Sequence, residues 1–128
     1  NNKLENEIIL NELKKRKIKL ICLAGFMKIL SSDFIKRFKG KIINIHPSLL
    51  PKHKGLNTFE KSLKAKDKLT GCTVHYVDEQ LDSGKTILQS KISIKKNDDI
   101  NSLKFKVQKE EYIAYSTAII KIYNSINF

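Results

Sequence analysis

The chain has 128 residues, 41 % of them hydrophobic, which supports one compact core and leaves little room for a second. It carries 25 Lys+Arg against 13 Asp+Glu, a formal net charge of +12. Only Arg16 and Arg37 are arginine, and the lysines are scattered from Lys3 to Lys121 without the interleaved aromatics of a base-stacking platform, so no nucleic-acid partner is expected. No apolar run approaches the roughly 18 residues of a membrane span, so no membrane partner is expected either. The first seven residues lack the layout of a secretory signal, and a cytoplasmic protein is expected. The diffuse charge favours attraction of anionic small molecules. Cys22 and Cys72 each sit in an apolar run, which predicts two reduced, buried thiols.

Taken in chain order, residues 4–17 read as an amphipathic helix, with Leu4, Ile8, Ile9 and Leu13 at helical spacing and acidic residues ahead of a basic last turn. Residues 18–23 have strand length and composition and end at Ala24-Gly25. Ser31-Ser32-Asp33 is a cap signal for a short helix to Phe38, which Gly40 stops. Residues 41–45 form the next strand, and a loop with Pro47, Pro51 and Gly55 follows. Asn57-Thr58 signals the cap of another helix, residues 71–77 alternate as a strand, and a polar turn over 78–84 leads to a strand at 86–94. Asp98-Asp99 caps a long helix reaching about Asn124. Strands separated by helices predict an α/β layered sheet with crossover connections.

Asn44 and His46 stand at the predicted carboxyl end of a strand, the edge where open α/β sheets bind ligands. Side chains alternate along a strand, so the two project to one side, and an amide with an imidazole can polarise a carbonyl and stabilise the oxyanion formed on attack. The same spacing fits a strand-end histidine beside a turn asparagine. Asp82, in Leu81-Asp82-Ser83-Gly84, is a turn carboxylate that would favour an imidazolium if it met the ring, and by itself fits an ordinary turn residue equally well. In the last helix Ile100, Leu103, Val107, Ala114, Ala118 and Ile122 form an apolar stripe with Glu111 near its middle. A carboxylate there is either a ligand contact in a polar cavity or a surface residue beside Glu110. His53, between two lysines, reads as solvated; His75 reads as half-buried or as a neighbour of the site. The 3 histidines and 2 cysteines lack the short ligand pairs of zinc sites, so no metal is expected.

The strings Leu23-Ala24-Gly25-Phe26-Met27-Lys28-Ile29-Leu30, Asn44-Ile45-His46-Pro47-Ser48-Leu49-Leu50-Pro51, Gly71-Cys72-Thr73-Val74-His75-Tyr76-Val77 and Leu81-Asp82-Ser83-Gly84 closely resemble the phosphoribosylglycinamide formyltransferase family of folate-dependent enzymes. The likeness is collinear over nearly the whole chain. Residues 54–58 and 73–76 favour this branch over the related tRNA formyltransferases and formyltetrahydrofolate deformylases. The resemblance implies a three-layer α/β/α Rossmann-like fold with a mostly parallel sheet, and transfer of a formyl group from 10-formyltetrahydrofolate to the amine of glycinamide ribonucleotide in purine synthesis. Hydrolysis of the same donor, or a non-catalytic folate-binding remnant, are the alternatives.

By the same resemblance Asn44, His46 and Asp82 form the catalytic trio. Met27, Lys28, Ile29 and Leu30, with Asp78, Glu79, Gln80 and Leu81, surround the folate along with Asn44 and Asp82. Gly25, Pro47, Gln108, Lys109, Glu110 and Glu111 meet the ribonucleotide. Partners are expected to be small molecules, with the protein a monomer or homodimer. Family members begin with a strand and a Gly-Ser-Gly-Ser-Asn-type phosphate loop, and ordinarily carry a basic folate contact just ahead of the first helix found here. The chain is therefore expected to be a single partial domain over 1–128, its phosphate-binding segment and first strands missing and one sheet edge unpaired.

Overall fold

A computed structural model describes residues 2–26 and 28–125. Eight elements follow in order: α1 (Asn2–Lys15), β1 (Leu20–Leu23), α2 (Ser32–Arg37), β2 (Lys41–His46), α3 (Thr58–Lys64), β3 (Leu69–Tyr76), β4 (Thr86–Ser93) and α4 (Ile100–Ser125).

Local chemistry accounts for most boundaries. Ser31 caps α2 by accepting the Phe34 N–H at 3.1 Å. At the start of α4, Asp99 Oδ1 accepts the Ser102 N–H at 2.8 Å while Ser102 Oγ accepts the Asp99 N–H at 2.9 Å, a reciprocal box that satisfies two helix-end donors. Asn57 precedes α3 without a side-chain capping bond. Its backbone is left-handed, φ 59°, whereas a capping side chain needs an extended backbone to aim its oxygen at the first turn. Gly40 lets β2 start against β1: a Cβ there would lie 2.2 Å from the Lys19 carbonyl oxygen, which accepts the Lys41 N–H at 2.9 Å.

The four strands pair in the order β1-β2-β3-β4. β1 and β2 are parallel, whereas β2–β3 and β3–β4 are antiparallel, so the described sheet is mixed rather than mostly parallel. The order strand–helix–strand gives a parallel pair for β1–β2 and an antiparallel pair for β2–β3, so the order of elements that suggested crossovers does not by itself set strand direction. β3 and β4 are joined by the loop 77–85 with no helix, which leaves only antiparallel pairing.

Helices lie on both faces, making three layers. On one face Ile43, Ile45, Cys72 and Val74 of the sheet pack on Val107, Ala114, Ala118 and Ile122 of α4. On the other, Leu10 of α1 and Phe34 and Phe38 around α2 cover Ile42. The buried stripe of α4 follows the predicted one apart from Ile100, which is exposed. In α1 only part of the expected apolar face packs: Leu13 makes its contact as expected, but Leu4, Ile8 and Ile9 are exposed and Leu10 is buried instead. Ile43 is fully buried at the centre of the larger core. Ile43→Ala is expected to lower stability by about 2–5 kcal/mol, measured as a shift in the urea unfolding midpoint.

Cys72 is buried as expected, and burial is the main cause pushing its thiol up to about 11, so it stays protonated and inert. Cys22 departs from expectation. It is exposed, because β1 lies at the edge of the described sheet.

Candidate active site

β1 and β2 run parallel and end together, so the loops 24–31 and 47–57 leave from one end of the sheet, where α/β folds place ligands. A cavity of about 880 Å³ opens there, within the size range of small-molecule sites. The helix α4 is held over this end by Tyr115, whose hydroxyl donates to the Leu23 carbonyl at 2.6 Å and also lies 3.2 Å from that of Ile43. Burial pushes the Tyr115 phenol well above its ordinary range, keeping that donor protonated.

The strand register builds the centre of the site. Asn44 lies opposite His75 across the β2–β3 pair, so both project to the same face, and His46 follows two residues later on that face. The loop 77–85 carries Asp82 to meet them. His46 is 6 % exposed, His75 2 % and Asp82 8 %. The Asp82 Oδ2 lies 3.5 Å from His46 Nδ1 and accepts the Gly55 N–H at 2.9 Å, while its Oδ1 is 3.8 Å from His75 Nε2. The second nitrogen of His46, Nε2, lies 2.9 Å from the carbonyl oxygen of His53. Both ring nitrogens of His46 thus face oxygen acceptors.

Asp82 reaches this position from a left-handed backbone, φ 49°, in a turn braced by Ser83. Ser83 Oγ donates to the Leu81 carbonyl at 2.9 Å and accepts from Lys54 Nζ at 2.8 Å, which ties loop 77–85 to loop 47–57. A buried carboxylate is costly without partners, and Asp82 has two imidazoles and an amide around it. Among the described residues three buried side-chain polar atoms have no hydrogen-bond partner: Asn44 Oδ1, His75 Nε2 and Thr58 Oγ1. All three belong to residues lining the cavity, where a polar ligand can satisfy them.

The structure places most residues singled out from the sequence on this cavity. Gly25, Lys28, Ile29 and Leu30 form one wall, Pro47 follows His46, and Asp78, Gln80 and Leu81 come from the loop that bears Asp82. Met27 lies outside the described residues. Gln108 and Glu111, three residues apart on α4, share the face turned to the cavity, and burial pushes the Glu111 carboxyl above its usual range.

Three expected contacts point elsewhere. Lys109 and Glu110 are rotated about 100° and 200° from Gln108 around the helix. The Lys109 ammonium stacks 5.6 Å from the Phe105 ring centre, and Glu110 accepts from Ser90 Oγ at 2.8 Å on β4. Glu79 turns outward to Lys36 at 3.5 Å.

Several cavity residues escaped the sequence reading. Lys104 and Ile100 line it one and two turns before Gln108, a helical spacing that Gln108 and Glu111 could have revealed. His75 did not escape: read as half-buried or as a neighbour of the site, it is buried and lines the cavity, where the β2–β3 register places it. His53, expected in solvent, instead pairs through Nε2 with Asp67 at 2.6 Å. Among the described residues no group of three or more His, Cys, Asp or Glu is placed to hold a metal ion, and no helix is long and apolar enough to cross a membrane.

The family model described as formyl transferase matches residues 1–119. The chain belongs to the formyl transferase family. Among its formyl transferase relatives, the phosphoribosylglycinamide formyltransferase of Haemophilus influenzae is 44 % identical over 119 residues, covering 93 % of this chain and 56 % of that protein. The trifunctional purine biosynthetic protein adenosine-3 of Chironomus tentans is 47 % identical over 109 residues, covering 85 % of this chain and 8 % of that protein. The crystal structure of phosphoribosylglycinamide formyltransferase from Brucella melitensis superposes with a TM-score of 0.91 at 38 % identity, covering all of this chain and 66 % of that one. The formyl transferase chain therefore spans about half to two thirds of its single-function relatives.

Proposed function

We propose that the protein transfers a formyl group from 10-formyltetrahydrofolate to the primary amine of glycinamide ribonucleotide, a step of purine nucleotide synthesis. The observation that carries this reading is the convergence of Asn44 with the buried His46 and Asp82 on the cavity at the strand ends. The names of its relatives support formyl transfer to the ribonucleotide, and the folate donor rests on the family resemblance. The proposed setting is the cytoplasm, with a monomer or homodimer acting on small molecules.

In this reading the amine nitrogen attacks the formyl carbon and the carbonyl oxygen takes up the negative charge. His46 donates to that oxygen from Nε2, which exchanges the His53 carbonyl for it while Asp82 keeps Nδ1, and the amide nitrogen of Asn44 adds a second donor. Such preorganised donors stabilise a developing oxyanion more than the ground-state carbonyl. The unpartnered Asn44 Oδ1 suits an N–H of the attacking amine. Asp82 orients the His46 ring and balances its charge. Collapse then breaks the bond from the formyl carbon to the folate nitrogen, while a proton passes from the amine to that nitrogen, so atoms and charges balance. Apolar groups of Leu30, Val77 and Leu81 on the cavity wall suit a flat ring system.

Consumption of 10-formyltetrahydrofolate by the full-length protein should depend on the ribonucleotide amine. Equal release of formate without the amine would identify a hydrolase instead. Glu111→Gln is expected to raise KM for the ribonucleotide about tenfold, because a charge-assisted hydrogen bond is lost, with little change in KM for the folate. Steady-state titration of each substrate checks this, and equal effects on both would remove Glu111 from the ribonucleotide side.

A further inference from the structure

Asp67 stands in the turn between α3 and β3, off the cavity wall, and its side chain is only 7 % exposed. Its Oδ1 accepts from Lys52 Nζ at 2.7 Å and its Oδ2 lies 2.6 Å from His53 Nε2. Its own N–H is held by the Ser62 carbonyl at 3.1 Å, which anchors the turn to α3. Lys52 and His53 both belong to loop 47–57, and the carbonyl of His53 is the group facing His46 Nε2 at 2.9 Å. His53 has a left-handed backbone, φ 54°, a conformation that a residue with a Cβ keeps only when its surroundings hold it. Its ring is clamped on Asp67 while its carbonyl is aimed at His46.

We infer that Asp67 is a positioning residue for His46, acting through His53: the clamp on the His53 ring fixes the one backbone carbonyl that holds the Nε2 side of the imidazole, opposite the side held by Asp82. The inference rests on the reading of His46 as the donor in formyl transfer. The formyl oxygen takes the place of the His53 carbonyl at Nε2, so that carbonyl sets where the ring waits before the substrate arrives. Lys52 first, and then His53, hold the Asp67 carboxyl below its usual range, and since that range already lies well below neutral pH the clamp does not depend on Lys52.

The test uses the full-length protein with nitrogen-15-labelled histidine. Asp67→Asn and His53→Phe are each expected to shift the His46 ring-nitrogen signals away from those of the wild type. Both should lower kcat by about 10- to 100-fold, the usual scale for losing a group that orients a functional side chain, while KM values change less than about twofold. Lys52→Gln, which leaves the His53–Asp67 contact in place, should shift neither the ring signals nor kcat appreciably. If Asp67→Asn fails to fold, His53→Phe, which leaves the turn itself intact, carries the test. Unchanged His46 signals in the folded variants overturn the inference, as does a Lys52→Gln effect equal to theirs. The ring spectrum needs no turnover, so a wild-type protein unable to transfer formyl would refute the functional reading separately.

Discussion

His46→Ala is expected to lower kcat for formyl transfer by about 10²- to 10⁴-fold, the range for losing a positioned proton donor, with the fold retained. The ring touches His53 and Asp82 but belongs to neither apolar cluster, so its removal leaves the packed core in place. Asp82→Asn should fall in the lower part of that range. The amide keeps the shape and can still accept the Gly55 N–H, but it removes the negative charge 3.5 Å from His46 and 3.8 Å from His75. Single-turnover rates on saturating substrates measure both effects. Rates within threefold of wild type in either variant would mean that the buried pair is structural and that the chemistry lies elsewhere in the cavity.

Gly84→Ala is expected to have the largest effect on stability, above about 3 kcal/mol. A Cβ at this position would lie 1.7 Å from the Tyr76 carbonyl oxygen and 2.7 Å from its carbon, both backbone atoms that cannot swing aside. The neighbouring bond from the Tyr76 N–H to the Lys85 carbonyl, 2.9 Å long, closes the β3–β4 turn and would have to open. Because Asp82 sits two residues earlier on the same loop, kcat should fall together with the urea unfolding midpoint. Wild-type values of both would show that the loop can shift without moving Asp82, contrary to its bracing by Ser83 and Lys54.

The parts of the molecule legible in the sequence are those governed by local periodicity. Alternation along β2 put Asn44 and His46 on one side, and both line the cavity. The 3.6-residue period of α4 marked Leu103, Val107, Ala114, Ala118 and Ile122 as its buried stripe and Glu111 as a misplaced acid, which also lines the cavity. Asp82 was different. Its turn signature carries no information about distance, and only the family resemblance tied it to His46.

What remained illegible depends on contacts between distant segments. The pairing of His53 with Asp67 crosses 14 residues, and a run of lysines around a histidine reads as solvated until that partner is known. The shifted face of α1 arises because Leu10, rather than Leu4, Ile8 and Ile9, joins Leu13 against α2 and β2. Lys109 and Glu110 were grouped with Gln108 and Glu111 by adjacency in a motif, although a helix turns adjacent residues apart. The antiparallel β3 could not be read from strand and helix order alone, since β1–α2–β2 and β2–α3–β3 share one order and pair in opposite senses.

The most direct test of the account follows a carbon-13-labelled formyl group through one turnover of the full-length protein with 10-formyltetrahydrofolate and glycinamide ribonucleotide. The account predicts that the label appears on the ribonucleotide amine in the wild type and fails to move at a comparable rate in His46→Ala and Asp82→Asn. Label released as formate in the wild type, or delivered to the amine at an undiminished rate by both variants, would contradict it.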